Sequence, residues 1–421
     1  MLRKTALLLL ALACPAAAQL KPLDSVTTGG YYAGEDLSFV ENAEGLKFRR
    51  GLNLLFLADG SFSPWKRAEL RYALREDING RYAKAGLHKG YLKQTAGKFS
   101  VTVGKDSEHI GPGRQSLLLS RNAAPFPMLR VKTERPLEWH GKWDITVVNG
   151  WLFEERQDRD DPKIFIGRLG WAPAGLLSLG LTRASQYGGA RRPALRPWEM
   201  PRMLLGAGEN STTGKYNTDG YLSYDITVNL PGSLRPAAAK SAKVYYESAA
   251  TDMQAFWQNE DKGKYYFPFG INPTIPAYLA GGVLETEKHT LRLEFIKTPR
   301  VFYTHTFYPV DGYTYNGLSL GAPYGINYRS LTFNHEMRLA AGKSFEYRAL
   351  YLKHYAYPDA AMERYGLALS AKLPSGNMTY SPYASFDYAV NRDPNPRPTI
   401  TERGRDNKFY VTLGLSATRK F

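Results

Sequence analysis

The chain has 421 residues, a net charge of +16 and one cysteine, Cys14. A single cysteine excludes an intramolecular disulfide framework. After residue 18 no run of about 18 apolar residues occurs, which excludes membrane-spanning helices. The positive charge leaves three classes of partner, namely nucleic acid, an anionic lipid surface and an acidic ligand.

Residues 1–18 have the pattern of a secretory signal peptide. Basic side chains at 3–4 are followed by an apolar run at 5–13, and small residues precede a cleavage site near Gln19. Export argues against nucleic acid as the partner. A lipid anchor on Cys14 is the alternative, but the flanking residues fit the pattern of a lipidated cysteine poorly.

Segments of alternating apolar and polar residues recur over nearly the whole of the exported chain. The clear ones are 51–57, 67–74, 99–103, 143–153, 163–171, 176–183, 221–229, 243–248, 278–285, 290–297, 331–339, 345–353, 364–372, 378–388 and 408–421, with weaker ones at 87–93, 129–134 and 301–306. At roughly 10 residues for each spanning strand, these segments would use about half of the exported chain and leave the rest for turns and loops. The chain therefore predicts an all-β, antiparallel transmembrane barrel of about 16 to 18 strands. We expect a short periplasmic segment at 19–45 and the barrel at 46–421.

The end of the chain supports this fold class. Phe409, Val411, Leu413 and Leu415 alternate with polar residues, and the chain ends on Phe421. An exported chain with a terminal aromatic on an amphipathic strand is typical of Gram-negative outer-membrane barrels, whose last strand is presented to the barrel-assembly machinery. The 29 Tyr, 19 Phe and 7 Trp also suit the aromatic girdles of such a barrel. We expect a monomer in the outer membrane, in contact with lipopolysaccharide.

The connections fall into two classes. The segments 340–343 and 373–377 are short and rich in turn residues, so they predict periplasmic turns. Longer polar or proline-rich segments predict extracellular or lumen-folded loops. These are 106–128, 187–216, 253–275, 307–327 and 391–407.

Three motifs that suggest chemistry fail on their spacing or context. Residues 208–215 resemble a phosphate loop but have five residues between the glycines and Tyr216 in place of Ser or Thr. Residues 317–321 match G-x-S-x-G, yet a proline-containing turn follows in place of a helix. The acidic loop 158–161 is better explained as a solvated loop than as a metal site. We therefore expect no enzyme activity, no cofactor and no metal.

Four stretches resemble, in the same order, the Wzi family of capsule-assembly outer-membrane proteins. They are 111–127, 181–189, 198–210 with 220–225, and 303–308 with 311–313 and 317–321. The positions that we take as its structural motif are Gly111, Pro112, Gly113, Ser116, Asn122, Pro125, Asp225, Asp311 and Gly312, together with the terminal Phe421.

The resemblance covers about residues 100–355. It implies a barrel of 18 strands that acts as a lectin, binding capsular polysaccharide or exopolysaccharide at the cell surface and helping to order the capsule. One departure concerns the helical bundle that precedes the barrel in this family. Only residues 19–45 precede the first clear strand here, which puts a periplasmic docking role in doubt.

The candidate binding residues are arginines and aromatics. Guanidinium groups pair bidentately with carboxylates such as those of uronates, and aromatic rings can stack on sugars. Two alternatives stay open, because the arginines could fix loops to the inner barrel wall and the aromatics could pack on one another. The candidates are Arg114, Arg121, Arg130, Trp257, Tyr313, Tyr315 and Tyr324.

Two other functions are weighed against this one. A porin or export channel for an anionic solute would also use the positive charge. An outer-membrane enzyme would need an aligned nucleophile and base, and no such arrangement is recognisable in the sequence.

Overall fold

The computed structural model describes residues 23–36, 40–80, 82–204, 216, 218–251, 276–355, 361–392 and 406–421. The strands are β1 Ser25–Ala33, β2 Gly51–Phe62, β3 Ala68–Asn79, β4 Tyr82–Ala96, β5 Phe99–Asp106, β6 Phe126–Thr133, β7 Lys142–Trp151, β8 Lys163–Ala174, β9 Leu177–Tyr187, β10 Asp219–Asn229, β11 Ser241–Thr251, β12 Ala277–Glu285, β13 His289–Thr298, β14 Tyr328–Arg338, β15 Ser344–Tyr355, β16 Ala361–Ser375, β17 Met378–Arg392 and β18 Asp406–Lys420. Short strands at Leu137–Glu138, Thr314–Tyr315 and Leu318–Ser319 accompany them, and helical structure is limited to α1 Met200–Leu204 and 3-10 turns at Pro197–Glu199, Gly232–Leu234 and Ala340–Gly342.

The sheet closes on itself as an antiparallel barrel. Strand β1 pairs with β2 on one side, where Ser25 faces Asp59, and with β18 on the other, where Ser25 faces Lys420. The pair Leu137–Glu138 extends the line of β6, because both bond to β7. The barrel therefore has 18 strands, which confirms the predicted fold class and the favoured strand number.

The barrel begins earlier in the chain than the sequence pattern indicates. Strand β1 lies inside the segment 19–45 that we expected to be periplasmic, so the expected boundary at residue 46 is too late for the sheet. Its outward positions include Thr28 and Gly30, which are not strongly apolar. Alternation of hydrophobicity is therefore weak in this strand, although its backbone pairs along its full length.

Alternate residues of each strand face outwards and inwards, as a spanning strand requires. In β18, Phe409 and Leu413 are exposed on the outer surface, whereas Thr412 is fully buried on the inner side. The other strands repeat this pattern and form an apolar outer belt, with rings such as Trp139 and Tyr365 near its edges. No helix among the described residues is long and apolar enough to cross a membrane.

The two ends of the barrel differ in the length of their connections. The N–H of Phe421 donates to the carbonyl of Asp24 at 3.1 Å, so both ends of the sheet lie at one rim. The predicted turns at 340–343 and 373–377 lie at this rim, which is the periplasmic one because barrels place short turns there. The long connections lie at the opposite, extracellular rim. Residues 253–275 and most of 391–407 fall outside the described residues.

Candidate functional site

Two extracellular connections fold into the barrel and fill the outer part of its lumen. The first, residues 107–125, follows β5 and is called here the first plug loop. The second, residues 299–327, follows β13 and is called the second plug loop. Leu117 and Leu118 of the first have no exposed surface, and neither does Tyr313 of the second. The loops form one apolar cluster with inward side chains of the wall.

Two glycines let the first plug loop approach the wall closely. Gly111 has a φ of +147°, which favours glycine, and a Cβ there would lie 3.0 Å from Glu247 Oε2. A Cβ on Gly113 would lie 2.5 Å from Glu294 Oε1. Pro112 between them restricts the backbone further. The loop thus follows the tight path into the lumen that the motif predicts.

Carboxylates of the wall hold the backbone of the same loop. The N–H of Leu117 donates to both oxygens of Glu247 at 3.3 Å, and the N–H of Arg114 donates to Glu294 Oε1 at 2.6 Å. Ser116 closes the turn, because its Oγ bonds to the carbonyl of Ile110 and accepts the N–H of Leu118 at 3.2 Å. These bonds satisfy backbone groups that would otherwise be buried without partners.

Asn122 joins the first plug loop to its neighbours. Its side-chain amide donates to Ser120 Oγ at 2.8 Å and to the carbonyl of Gly321 at 3.1 Å, and its Oδ1 accepts the N–H of Asn42 at 2.9 Å. Pro125 is buried immediately before β6. Both motif residues thus act in the packing of the plug.

The three candidate arginines have different surroundings. Arg114 Nη1 lies 2.6 Å from Glu346 Oε1, and Arg130 Nη1 lies 2.5 Å from Glu108 Oε2 and 3.1 Å from Asp106 Oδ2. Arg130 is about one-tenth exposed at its side chain. Both arginines are thus ion-paired within the protein, and Arg114 keeps about a third of its side chain exposed. Arg121 is exposed at the top of the loop.

The candidate aromatics are largely internal. Tyr313 and Tyr315 are buried in the plug, and the Tyr313 hydroxyl donates to the carbonyl of Leu118 at 3.0 Å. Tyr324 bonds through its hydroxyl to Glu41. A sugar at the outer surface does not reach Tyr313 or Tyr315, because both rings are buried. Tyr313 stacks on Tyr303 of the plug, and Tyr315 meets Phe126 of β6 edge to face. Trp257 lies outside the described residues.

A buried arginine joins the second plug loop to the connection between β7 and β8. Arg156 Nε lies 3.0 Å from Asp158 Oδ1, and its Nη1 lies 3.1 Å from Glu154 Oε1. Its Nη2 donates to the carbonyl of Gly312 at 2.6 Å. Asp311 accepts the N–H of Gln157 at 2.7 Å. The motif residues Asp311 and Gly312 thus dock two loops on each other.

The pKa values of the two carboxylates of this junction are shifted in opposite directions. Burial raises the pKa of Glu154 to about 7, and the neighbouring Arg156 opposes that rise only in part. The pKa of Asp158 lies below its ordinary value despite its burial, because the positive charge of Arg156 and hydrogen bonds from backbone N–H groups stabilise its ionised form.

The motif residue Asp225 lies in the barrel wall, where it forms an ion pair with Arg168.

A cleft at the extracellular rim brings together further candidate binding residues, which the sequence motifs do not indicate. It encloses about 300 Å³ between residues 44–49, the β3–β4 hairpin, the end of β5 and Asn316 of the second plug loop. Five cationic side chains line it, against two carboxylates. The cations are Lys47, Arg49, Arg75, Lys84 and Lys105, and the carboxylates are Glu44 and Asp77.

Both carboxylates of the cleft are already engaged. Arg75 Nη2 lies 2.8 Å from Asp77 Oδ2. Glu44 Oε1 lies 2.6 Å from Lys89 Nζ, and its hydrogen bond with His88 and the charge of Lys89 lower its pKa to about 2 in spite of burial. The negative charge of the cleft is therefore used within the protein.

Three lysines of the cleft are not neutralised in this way. Within the described parts of the chain, Lys47, Lys84 and Lys105 have no carboxylate at ion-pair distance. The Lys47 ammonium donates to the carbonyl of Asn316 at 2.6 Å. Burial and the charges of Lys84 and Arg49 lower the pKa of Lys47, so positive charge has accumulated there.

The remaining lining of the cleft includes aromatic and amide side chains. Tyr31 stacks on Phe48 with ring centroids 4.6 Å apart, and both line the cleft. Asn53 and Asn79 also line the cleft, and their side-chain NH2 groups donate to backbone carbonyls of Arg49, Gly51 and Leu52. Among the described residues no cluster of three or more potential metal ligands occurs.

Comparisons with known proteins agree with this fold. The family model for capsule assembly protein Wzi matches residues 27–362. Wzi of Escherichia coli, described as a carbohydrate-binding β-barrel of the outer membrane involved in group 1 capsule assembly, is similar at a TM-score of 0.69 and 16% identity. That alignment covers 95% of this chain and 85% of the other.

Two further barrels are similar at lower scores. OpdQ of Pseudomonas aeruginosa has a TM-score of 0.51 at 10% identity, covering 95% of this chain and 97% of its own. OccAB2 of Acinetobacter baumannii has a TM-score of 0.51 at 9% identity, with 95% and 98% covered. At these identities the likeness concerns the fold alone. A search of curated proteins finds no match.

Proposed function

Because the chain belongs to the Wzi family of capsule assembly proteins and forms an outer-membrane barrel, we propose that it binds an anionic capsular polysaccharide or exopolysaccharide at its extracellular face. Its role is retention of the polymer, without catalysis. The observation that carries the proposal is the cationic cleft at the extracellular rim. It combines aromatic and amide side chains with three lysines that have no carboxylate at ion-pair distance among the described residues.

Charge supports an acidic polymer over a neutral one. Each uronate brings one carboxylate, and charge-assisted hydrogen bonds from ammonium groups to carboxylates are stronger than neutral ones. Lys84 and Lys105 lie on different strands, so they can contact successive acidic residues of one chain. A bound carboxylate would also relieve the repulsion that lowers the pKa of Lys47.

Of the three candidate arginines, we retain one as a proposed contact with the polysaccharide. Arg121 is exposed and remains a candidate contact, whereas Arg114 and Arg130 are engaged with wall carboxylates. Substituting Arg130 is therefore expected to lower the amount of folded barrel, with unchanged polysaccharide binding by each folded molecule.

The test measures binding of a polyuronate to the purified barrel in detergent. The double variant K84E/K105E should weaken binding at least tenfold, because it changes the sign of two cleft charges. The matched control is K66E/K343E, which changes the net charge equally at exposed periplasmic turns. Wild-type binding should fall as salt rises, since exposed charges are screened over about 8 to 10 Å at physiological ionic strength.

Equal binding by K84E/K105E and the control would refute the cleft as the site. Binding of a neutral glucan as tightly as the polyuronate would refute the charge argument. The alternative of an anion channel predicts stable conductance in planar bilayers. The plug loops argue against it, because their buried side chains fill the outer part of the lumen.

A further inference from the structure

Three cations lie side by side on the outer wall of the barrel, at its extracellular rim. Lys297 of β13 is paired with Arg329 of β14, and Arg329 is paired with Lys353 of β15. Directly opposed side chains of neighbouring strands have Cβ atoms about 4.5 to 5.5 Å apart, and like charges in this arrangement are destabilising. The arrangement therefore calls for a negative partner.

These side chains face away from the lumen. Arg329 is exposed, while Tyr328 and Ser330 beside it are buried on the inner side. Likewise, Lys353 alternates with the buried Leu352. The row is thus on the surface that meets the outer leaflet and is separate from the cleft.

Among the described residues, one carboxylate lies at ion-pair distance from the three cations. Lys353 Nζ lies 3.0 Å from Glu363 Oε1 on the next strand. Lys297 and Arg329 have no carboxylate at ion-pair distance within the described residues. Aromatic faces support them, since Lys297 Nζ lies 5.5 Å from the centre of the Tyr278 ring and Arg329 Cζ lies 5.5 Å from that of Tyr355. Such contacts orient a cation but leave its charge uncompensated.

The surface below the row is apolar. Going from the rim towards the periplasm, Arg329 is followed on the outer face of β14 by Leu331 and Phe333. On β13 the outward residues below Lys297 are Phe295 and Leu293. A cation above an apolar stripe is complementary to a lipid, whose anionic headgroup lies above its acyl chains. Tyrosines are common at this membrane–water interface.

We propose that Lys297, Arg329 and Lys353 form a binding site for the phosphate of an outer-leaflet glycolipid of the lipopolysaccharide type. Arg329 is central and binds the phosphate through its guanidinium fork, which suits phosphate geometry. Lys297 contributes a second charge from the neighbouring strand. The acyl chains of the lipid lie along the outward residues of β13 and β14.

The binding experiment uses purified lipid A and its dephosphorylated form, with the full-length barrel in zwitterionic detergent. Wild type should bind lipid A at least tenfold more tightly than the dephosphorylated form. K297Q/R329Q should lose this preference, while R329K, which keeps the charge, should retain most of it. The control K66Q/K343Q removes equal charge at the periplasmic rim and should bind like wild type.

The unfolding temperature gives a second readout, because the difference between R329Q and wild type should change sign when lipid A is added. In zwitterionic detergent alone, R329Q should unfold at a higher temperature than wild type, because a repelled cation is removed. With lipid A present, the order should reverse. Undiminished lipid A binding by K297Q/R329Q would overturn the proposal. It would also be overturned if the cleft variant K84Q/K105Q, and not the row variant, lost binding, or if R329Q lowered the unfolding temperature without lipid.

Discussion

Replacing Arg156 by Met should release the second plug loop from the connection between β7 and β8. Met has a similar length, so it removes the charge and the donors while retaining most of the packing. The change leaves Glu154 and Asp158 without their shared cation, and the carbonyl of Gly312 loses its 2.6 Å bond. Removing one partner of a buried ion pair costs about 3 to 5 kcal/mol.

This loss should appear as local opening, because the barrel wall does not depend on the junction. The amides of Asp311 and Asn316 donate to Asp158 and Glu154, so they report on docking directly. A loss of about 3 to 5 kcal/mol corresponds to hydrogen exchange faster by roughly two to four orders of magnitude. Mass spectrometry of a peptide covering 307–317 measures it.

The control is R191M, which removes an exposed arginine from a neighbouring connection and should leave exchange unchanged. Wild-type exchange rates in 307–317 for R156M, in a barrel that still migrates as folded, would show that the ion pairs do not hold the loop. Faster exchange across the strands in general would instead show that Arg156 stabilises the barrel wall.

Three further predictions concern pH and close packing. Because the pKa of Glu154 is raised from 4.5 to about 7, docking of the second plug loop should weaken as pH rises between those values, by up to about 3 kcal/mol, and exchange in E154Q should lose this dependence. The pKa of Glu44 is instead lowered to about 2, so its contribution to stability is present above pH 4.5 and lost as pH falls towards 2, which urea unfolding of wild type and E44Q should separate. G113A should destabilise the plug by about 1 to 3 kcal/mol, since its Cβ would lie 2.5 Å from a Glu294 oxygen, whereas G175A, with no atom within 4 Å, should have little effect in the same unfolding assay.

The barrel and its ends were predictable because their signals are local. Alternation in β18 and the turn at 373–377 are each read from consecutive residues. Strand β1 was missed since its outward positions include Thr28 and Gly30, which carry little hydrophobic signal. Its pairing is decided by β18, at the other end of the chain.

The site was less predictable because it depends on residues far apart in sequence. Lys47, Lys84 and Lys105 come from a loop and two strands, and they reach one cleft only when the loop before β2 packs beside the paired β4 and β5. The role of Arg130 depended on register, which places it beside Asp106 and Glu108. Nothing in the motif around Arg130 distinguishes an arginine that binds a ligand from one that forms ion pairs inside the barrel.

The pairing of β1 with β18 has a consequence for the order of assembly. It joins Ser25 to Lys420, so its loop-closure entropy is among the largest in the molecule, and we expect this contact to form late. Once this contact is made, the lumen can be entered only through its ends. The plug loops are rooted on β5 and β13, well inside the growing sheet, and can fold against the curved wall while one side is still open. We therefore expect the pairing of β1 with β18 to complete the wall around plug loops that are already packed.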